Sequence, residues 1–235
     1  MTDPDRIETL ATTVGNARAH FYVVPRGVPR ATLVLGHGAG AGVETWDLQI
    51  LASRLPGLGI EVVLVEQPWR VEGKKVAPAA ARLDAGFREV VTGLRRAGEG
   101  LRELVVGGRS AGARVACRTA ADIKADSVLC LAFPLHRPGR TSPNRADELA
   151  GCADQLQLTV IQGERDSFGR PTEIATALAG AGAQAVVVSV PWADHSFKLP
   201  GKATITQAEL SMVLVDATER AILHRTGNRG ALTGR

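Results

Sequence analysis

Ser110 sits in Gly107-Gly108-Arg109-Ser110-Ala111-Gly112, with a glycine two positions to either side. A serine hydroxyl is a weak nucleophile until a base takes its proton, and the base in turn needs a group that orients it. Two later segments offer these partners. Gln162-Gly163-Glu164-Arg165-Asp166 supplies a carboxylate, and Asp194-His195-Ser196-Phe197 supplies an imidazole. The order Ser, Asp, His along the chain is the one in which a G-x-S-x-G elbow finds its partners. A fourth segment, Gly36-His37-Gly38-Ala39-Gly40-Ala41-Gly42, is rich in glycine. Its backbone can approach a reacting carbonyl and meet the negative charge that builds there. Together these types point to attack of Ser110 on a carbonyl carbon, with His195 as base and Asp166 as its orienter. Amides of Ala39 and Ala111 would form the oxyanion hole, with Gly40 an alternative to Ala39.

Competitors lie close by. Glu164 could take the place of Asp166. Asp194 adjoins the histidine, but a residue directly before it rarely reaches the ring from the right side. His20, His37, His136 and His224 are the other histidines, and only His195 follows directly on the last predicted strand. His37 is expected to hold the backbone of its own loop. The glycine-rich segment lacks the Gly-Lys-Ser/Thr ending of a phosphate loop, and no suitable acidic strand end follows to make it a dinucleotide site.

The elements that must position these residues are legible in the pattern. Apolar, β-branched runs at 31–35, 60–65, 101–106, 127–132, 158–161 and 185–190 read as strands buried on both faces, as in a parallel sheet. Between them, 44–55, 78–97, 111–121, 171–179 and 204–224 have helical character. Trp46, Ile50, Leu51 and Leu55 share one face of the first of these. Leu210, Val213, Leu214, Ala217 and Ile222 form an apolar stripe on the last. Strand and helix alternate, which gives an α/β fold with helices on both faces of a mostly parallel sheet. Segments 7–14 and 17–24 are expected to add two antiparallel edge strands. Ser110, Asp166 and His195 then all fall just past the C-terminal ends of strands, where active sites of such sheets lie.

A chain of 235 residues with 45% hydrophobic and 22% charged residues buries enough surface to need no metal or disulfide staple. One domain is expected over residues 1–226, with 227–235 a disordered tail. The three cysteines have no metal-like spacing and read as buried thiols. No apolar run reaches the length of a membrane span, and Met1-Thr2-Asp3-Pro4-Asp5 is not a signal peptide, so a cytoplasmic location is expected. The net charge is +4, but the arginines are scattered, which argues against a nucleic-acid surface.

Gly36-His37-Gly38-Ala39-Gly40, the segment from Gly107 to Arg114, Phe133-Pro134-Leu135-His136 with Pro138-Gly139, Gln162 to Asp166 with Phe168-Gly169, and Asp194 to Lys198 resemble the α/β-hydrolases over nearly the whole chain. More narrowly they are similar to small, cap-less bacterial proteins related to dienelactone hydrolase. Relatives of those include hydrolase-like subunits of a eukaryotic chromatin complex. The resemblance implies a serine-hydrolase triad on Ser110, Asp166 and His195. Dienelactone hydrolase itself uses a cysteine nucleophile, so a dienelactone substrate is not implied. Arg137 stands where the pattern leads one to expect proline.

The segment 133–157 is too short for a helical cap, so an open, shallow site is expected. Trp69, Arg70, Arg109, His136 and Trp192 are candidates to line it, with Arg137 beside them. Arg109 and Arg114 could instead pair with carboxylates and brace the elbow. The expected activity is hydrolysis of a small-molecule carboxylic ester or thioester, without metal or organic cofactor. A catalytically silent interaction module and an acyltransferase using the same triad are the alternatives. A homodimer stays open, with no feature that specifies its interface.

Overall fold

The computed structural model describes residues 2–96, 101–137, 139–140 and 145–229. Its strands are β1 (Arg6–Thr12), β2 (Gly15–Tyr22), β3 (Ala31–Gly36), β4 (Ile60–Glu66), β5 (Leu104–Arg109), β6 (Ser127–Leu131), β7 (Gln157–Gly163) and β8 (Val186–Val190). Its helices are α1 (Trp46–Arg54), α2 (Pro68–Val71), α3 (Ala80–Arg96), α4 (Ala111–Thr119), α5 (Ala146–Ala153), α6 (Pro171–Gly180) and α7 (Gln207–Arg229). A 3₁₀ turn, Leu55–Leu58, follows α1. The strands form one sheet in the order β1-β2-β4-β3-β5-β6-β7-β8. β2 runs antiparallel to both β1 and β4, and the pairs from β4–β3 to β7–β8 are parallel.

Alternation along each strand divides the core into two layers. Val34, Val63, Val65 and Val106 face α3, α4, α5 and α6, packing with Phe87, Val90, Leu94, Ala116, Leu149 and Ile174. Leu33, Leu35, Val62 and Leu64 face α1 and α7, packing with Leu48, Leu51, Leu210 and Leu214. Cys117, Cys130 and Cys152 are buried, free thiols in the first layer. Between β6 and β7 the described residues build only α5, so no cap domain covers the C-terminal rim.

Several expectations need correction. β5 starts at Leu104, not at residue 101, because Arg102 and Glu103 form a turn in which Glu103 takes φ 39°. The strand instead continues through Gly107 and Gly108, which hydrophobicity alone had left outside it. β2 is no edge strand, since it pairs on both sides, and only β1 lies at that edge. β8 is the opposite edge and is not buried on both faces: Val186 is 53% exposed. Composition cannot tell an edge strand from its buried neighbour when both are valine-rich. On α1, Trp46 and Ile50 are only half-buried, while Asp47 is turned fully inward. α7 runs to Arg229, three residues into the expected tail, and 230–235 lie outside the described residues. No helix among the described residues is long and apolar enough to cross a membrane.

Candidate active site

Ser110 is the link between β5 and α4, with φ 53° and ψ −110°. A positive φ on a residue with a Cβ costs on the order of 1–3 kcal/mol and persists only where the surroundings enforce it. The enforcement comes from close backbone packing. A Cβ on Gly108 would stand 2.5 Å from the carbonyl oxygen of Gly36 and 2.7 Å from the carbonyl carbon of Gly112. A Cβ on Gly112 would stand 2.6 Å from the carbonyl carbon of Gly36. Only glycines let β3, β5 and α4 converge so closely. The Ser110 amide donates to the Leu131 carbonyl at 2.9 Å, tying the elbow to β6. α4 directs its N-terminal amides toward the space above Ser110, where they favour negative charge. Arg114 and Arg118 anchor this helix from behind: Arg114 makes a two-pronged contact with Glu148 of α5, and Arg118 makes one with Asp84 of α3.

Asp166 lies just beyond β7 and is 1% exposed. Its Oδ1 accepts the Phe168 amide at 2.8 Å, and its Oδ2 accepts the Gln162 side-chain amide at 2.9 Å. The same Oδ2 is 2.8 Å from Nδ1 of His195. A carboxylate acceptor there puts the imidazole proton on Nδ1, so Nε2 is left to accept the Ser110 hydroxyl, 3.0 Å away. The His195 ring also stacks on Phe168, with centroids 4.1 Å apart. The loops that carry Asp166 and His195 are packed backbone to backbone. Arg165 donates to the Ala193 carbonyl at 2.9 Å, and a Cβ on Gly163 would stand 2.5 Å from that same oxygen.

The competing carboxylates are engaged elsewhere. Glu164 accepts the Trp192 amide at 3.0 Å. Asp194 accepts the amides of Ser196 and Lys198, so it shapes the loop and does not touch the ring. His37 is 3% exposed and holds its own loop: Nδ1 donates to the Gly38 carbonyl at 2.8 Å, and Nε2 accepts the Gln67 amide at 3.1 Å. Burial pushes its pKa down, so the ring is held neutral. The loop it secures presents Ala39 beside Ala111. Both line one cavity of about 10 Å³, together with Trp69 and Gly112.

The residues expected to face a substrate divide. Trp69 is buried against His37 and lines the cavity near Ala111. Arg70 is partly exposed and paired with Glu44 at 3.4 Å. Arg109 is buried: its guanidinium meets Asp47 and donates to the His195 carbonyl, so it lies beneath the site. His136 is buried beside the Asp166 loop, its amide donating to the Phe168 carbonyl and its ring contacting Glu173. Trp192 turns its indole N–H to Thr204. Gln162 and Asp47 carried no role in the sequence reading. Gln162 opens the Gln162-to-Asp166 motif, four residues before Asp166, which is the one signal that could have found it. Among the described residues no group of three or more His, Cys, Asp or Glu side chains is placed to hold a metal ion.

A family model described as an alpha/beta hydrolase domain matches residues 29–223. The chain belongs to the α/β-hydrolases. No curated protein matches this chain. Among solved structures it is similar to XC6422 from Xanthomonas campestris, a serine hydrolase without a lid. The two are 22% identical with a TM-score of 0.70, over 94% of this chain and 96% of that one. It is also similar to Est1E from Butyrivibrio proteoclasticus, at 12% identity and TM-score 0.69, over 92% of this chain and 99% of that one. Dienelactone hydrolase from Anabaena variabilis matches at 16% identity and TM-score 0.67, over 91% of this chain and 94% of that one. At these identities the likeness establishes the fold of this α/β-hydrolase, cap-less like that of XC6422. Hydrolase-like subunits of a chromatin complex are not among these relatives.

Proposed function

We propose that this chain is a serine hydrolase that cleaves a carboxylic ester or thioester through an acyl-enzyme on Ser110. The observation that carries the reading is the unbroken chain from Ser110 Oγ to His195 Nε2 at 3.0 Å and from His195 Nδ1 to Asp166 Oδ2 at 2.8 Å. His195 accepts the hydroxyl proton as Ser110 attacks the carbonyl carbon, and returns it to the leaving alcohol or thiol. Asp166 fixes the tautomer and stabilises the imidazolium that forms. Amides of Ala39 and Ala111 meet the oxyanion. Water, activated by the same imidazole, then releases the acid.

The uncovered rim fits a small-molecule ester that enters from solvent. Est1E has been solved with ferulic acid bound, and an aromatic acyl ester is one substrate class to screen with short-chain esters and thioesters. Three buried free thiols fit a reducing, cytoplasmic setting. The test is treatment of wild type and Ser110→Ala with a fluorophosphonate, read by intact mass. One adduct on wild type alone is expected. Ser110→Ala should also lose turnover by a factor on the order of 10⁴ to 10⁶. Folded wild type without an adduct would refute the reading and favour an interaction module.

A further inference from the structure

We propose that the buried Asp47–Arg109 pair positions His195 for catalysis, an inference that rests on the hydrolase reading above. Arg109 is the last residue of β5 and directly precedes Ser110. Its side chain is 10% exposed, and that of Asp47 is 1% exposed. Arg109 Nε lies 3.1 Å from Asp47 Oδ2. Its Nη2 donates to the backbone carbonyl of His195 at 3.0 Å and to Ser196 Oγ at 3.1 Å. Its Nη1 lies 3.0 Å from where a Cβ on Gly38 would stand, so that glycine is what admits the guanidinium beneath the oxyanion loop. One planar group therefore touches α1, the His195 loop and the loop that presents Ala39.

The His195 loop needs such a tether. It contains two non-glycine residues at positive φ, Trp192 at 63° and Phe197 at 52°, a conformation that surrounding contacts must impose. Asp166 fixes the Nδ1 edge of the imidazole ring, but a ring held at one edge can still shift with its backbone. Arg109 fixes the backbone carbonyl of that same residue from the nucleophile's own strand. Ser110 and His195 are thereby referenced to each other through one rigid side chain. Asp47 has a definite part. A guanidinium buried without a counter-charge would be costly, and the Asp47 carboxylate supplies that charge at 3.1 Å, as an ion pair without hydrogen-bond geometry, beside the fork that reaches His195. Lysine could carry the charge but not the two-directional fork.

The test compares wild type with the double variant Asp47→Leu/Arg109→Met, which removes both charges and leaves apolar groups of similar size. Arg109→Lys is the second variant, because it keeps a counter-charge for Asp47 if the double variant does not fold. Three readouts are taken on folded protein: p-nitrophenyl acetate kinetics, the rate of fluorophosphonate labelling, and the downfield proton NMR resonance of the His195–Asp166 hydrogen bond. The expectation is a kcat lowered by about 10- to 100-fold with KM little changed, since small misplacements of a base cost that much. Labelling should slow in proportion, and the resonance should broaden or move. A folded variant with wild-type kcat, labelling rate and resonance would overturn the proposal and leave the pair a stabilising contact only. Wild type that fails to label would overturn the hydrolase reading alone. The resonance would then still decide whether the pair positions His195.

Discussion

Replacing Gln162 by leucine removes the polar hub behind Asp166 while keeping similar volume. Gln162 is fully buried. Its Oε1 accepts the Phe133 amide at 2.8 Å. Its Nε2 lies within hydrogen-bond distance of Asp166 Oδ2 at 2.9 Å, the Gly169 carbonyl at 2.7 Å and the Phe133 carbonyl at 3.2 Å. Two amide hydrogens serve three acceptors, so the shortest two carry most of the bonding. Leucine would leave the Phe133 N–H unpaired in the core, at about 1–3 kcal/mol, and remove a hydrogen bond to a carboxylate worth about 1.5–3 kcal/mol. The Gly169 carbonyl adds a smaller loss. The sum is about 3–6 kcal/mol, a large part of the stability of an ordinary domain. For a chain of this size that corresponds to a drop in Tm of about 10–20 °C. Below that temperature Asp166 keeps only the Phe168 amide as a fixed donor besides His195. Turnover should then fall by about 10- to 100-fold, well short of the loss in Ser110→Ala. Thermal denaturation followed by circular dichroism, with kinetics on a p-nitrophenyl ester, measures both. A variant that melts with wild type and turns over at the wild-type rate would refute this account of Gln162.

The remaining predictions concern the loop and the elbow. Burial lowers the pKa of His37 below the ordinary imidazole value of about 6.5, so under acid the unfolded chain takes a proton that the folded chain resists. Its contribution to stability is complete above about pH 6.5 and lost as pH falls toward the folded value. The Tm of wild type should therefore decline from pH 7.5 to pH 5 more steeply than that of His37→Gln, and parallel curves would contradict the assignment. Gly112→Ala should destabilise by about 1–3 kcal/mol and slow fluorophosphonate labelling at least tenfold, because the new Cβ meets the backbone of Gly36 and His37. Gly93→Ala on α3 is the contrast. Its Cβ would lie at an ordinary 3.6 Å from Leu10, so urea denaturation should show a gain of about 0.5–1 kcal/mol.

Much of the site was legible because its parts are local. A serine flanked by tiny residues, after an apolar strand and before a helix, is a steric requirement written in consecutive positions. Asp166 and His195 each follow a strand, and a parallel sheet brings all such ends to one rim. The role of His37 as a holder of its own loop could be read in the same way, since its partner Gly38 is its neighbour. The three cysteines read as buried thiols because they lack metal-like spacing, and all three are buried. The edge position of β8 was not legible, because its valines match those of strands that are covered on both sides.

The sequence alone determined the strand–helix alternation, the elbow, the order of the three catalytic candidates and the lack of room for a cap. Tertiary structure alone decided what lies beneath them. Asp47 carries no sequence signal of a role, yet the fold places its carboxylate against Arg109 at the end of β5. Arg109 reads either as a residue facing substrate or as a brace paired with a carboxylate, and the same packing decides for the second, turning it under the site against Asp47 and onto the His195 carbonyl. Gln162 reads as a strand exit, yet the register of β7 with β6 delivers it to the Phe133 backbone. The physical reason is common to all three. A buried polar group must be paired, but the chain segment that supplies its partner is chosen by strand order and register, which no local pattern encodes.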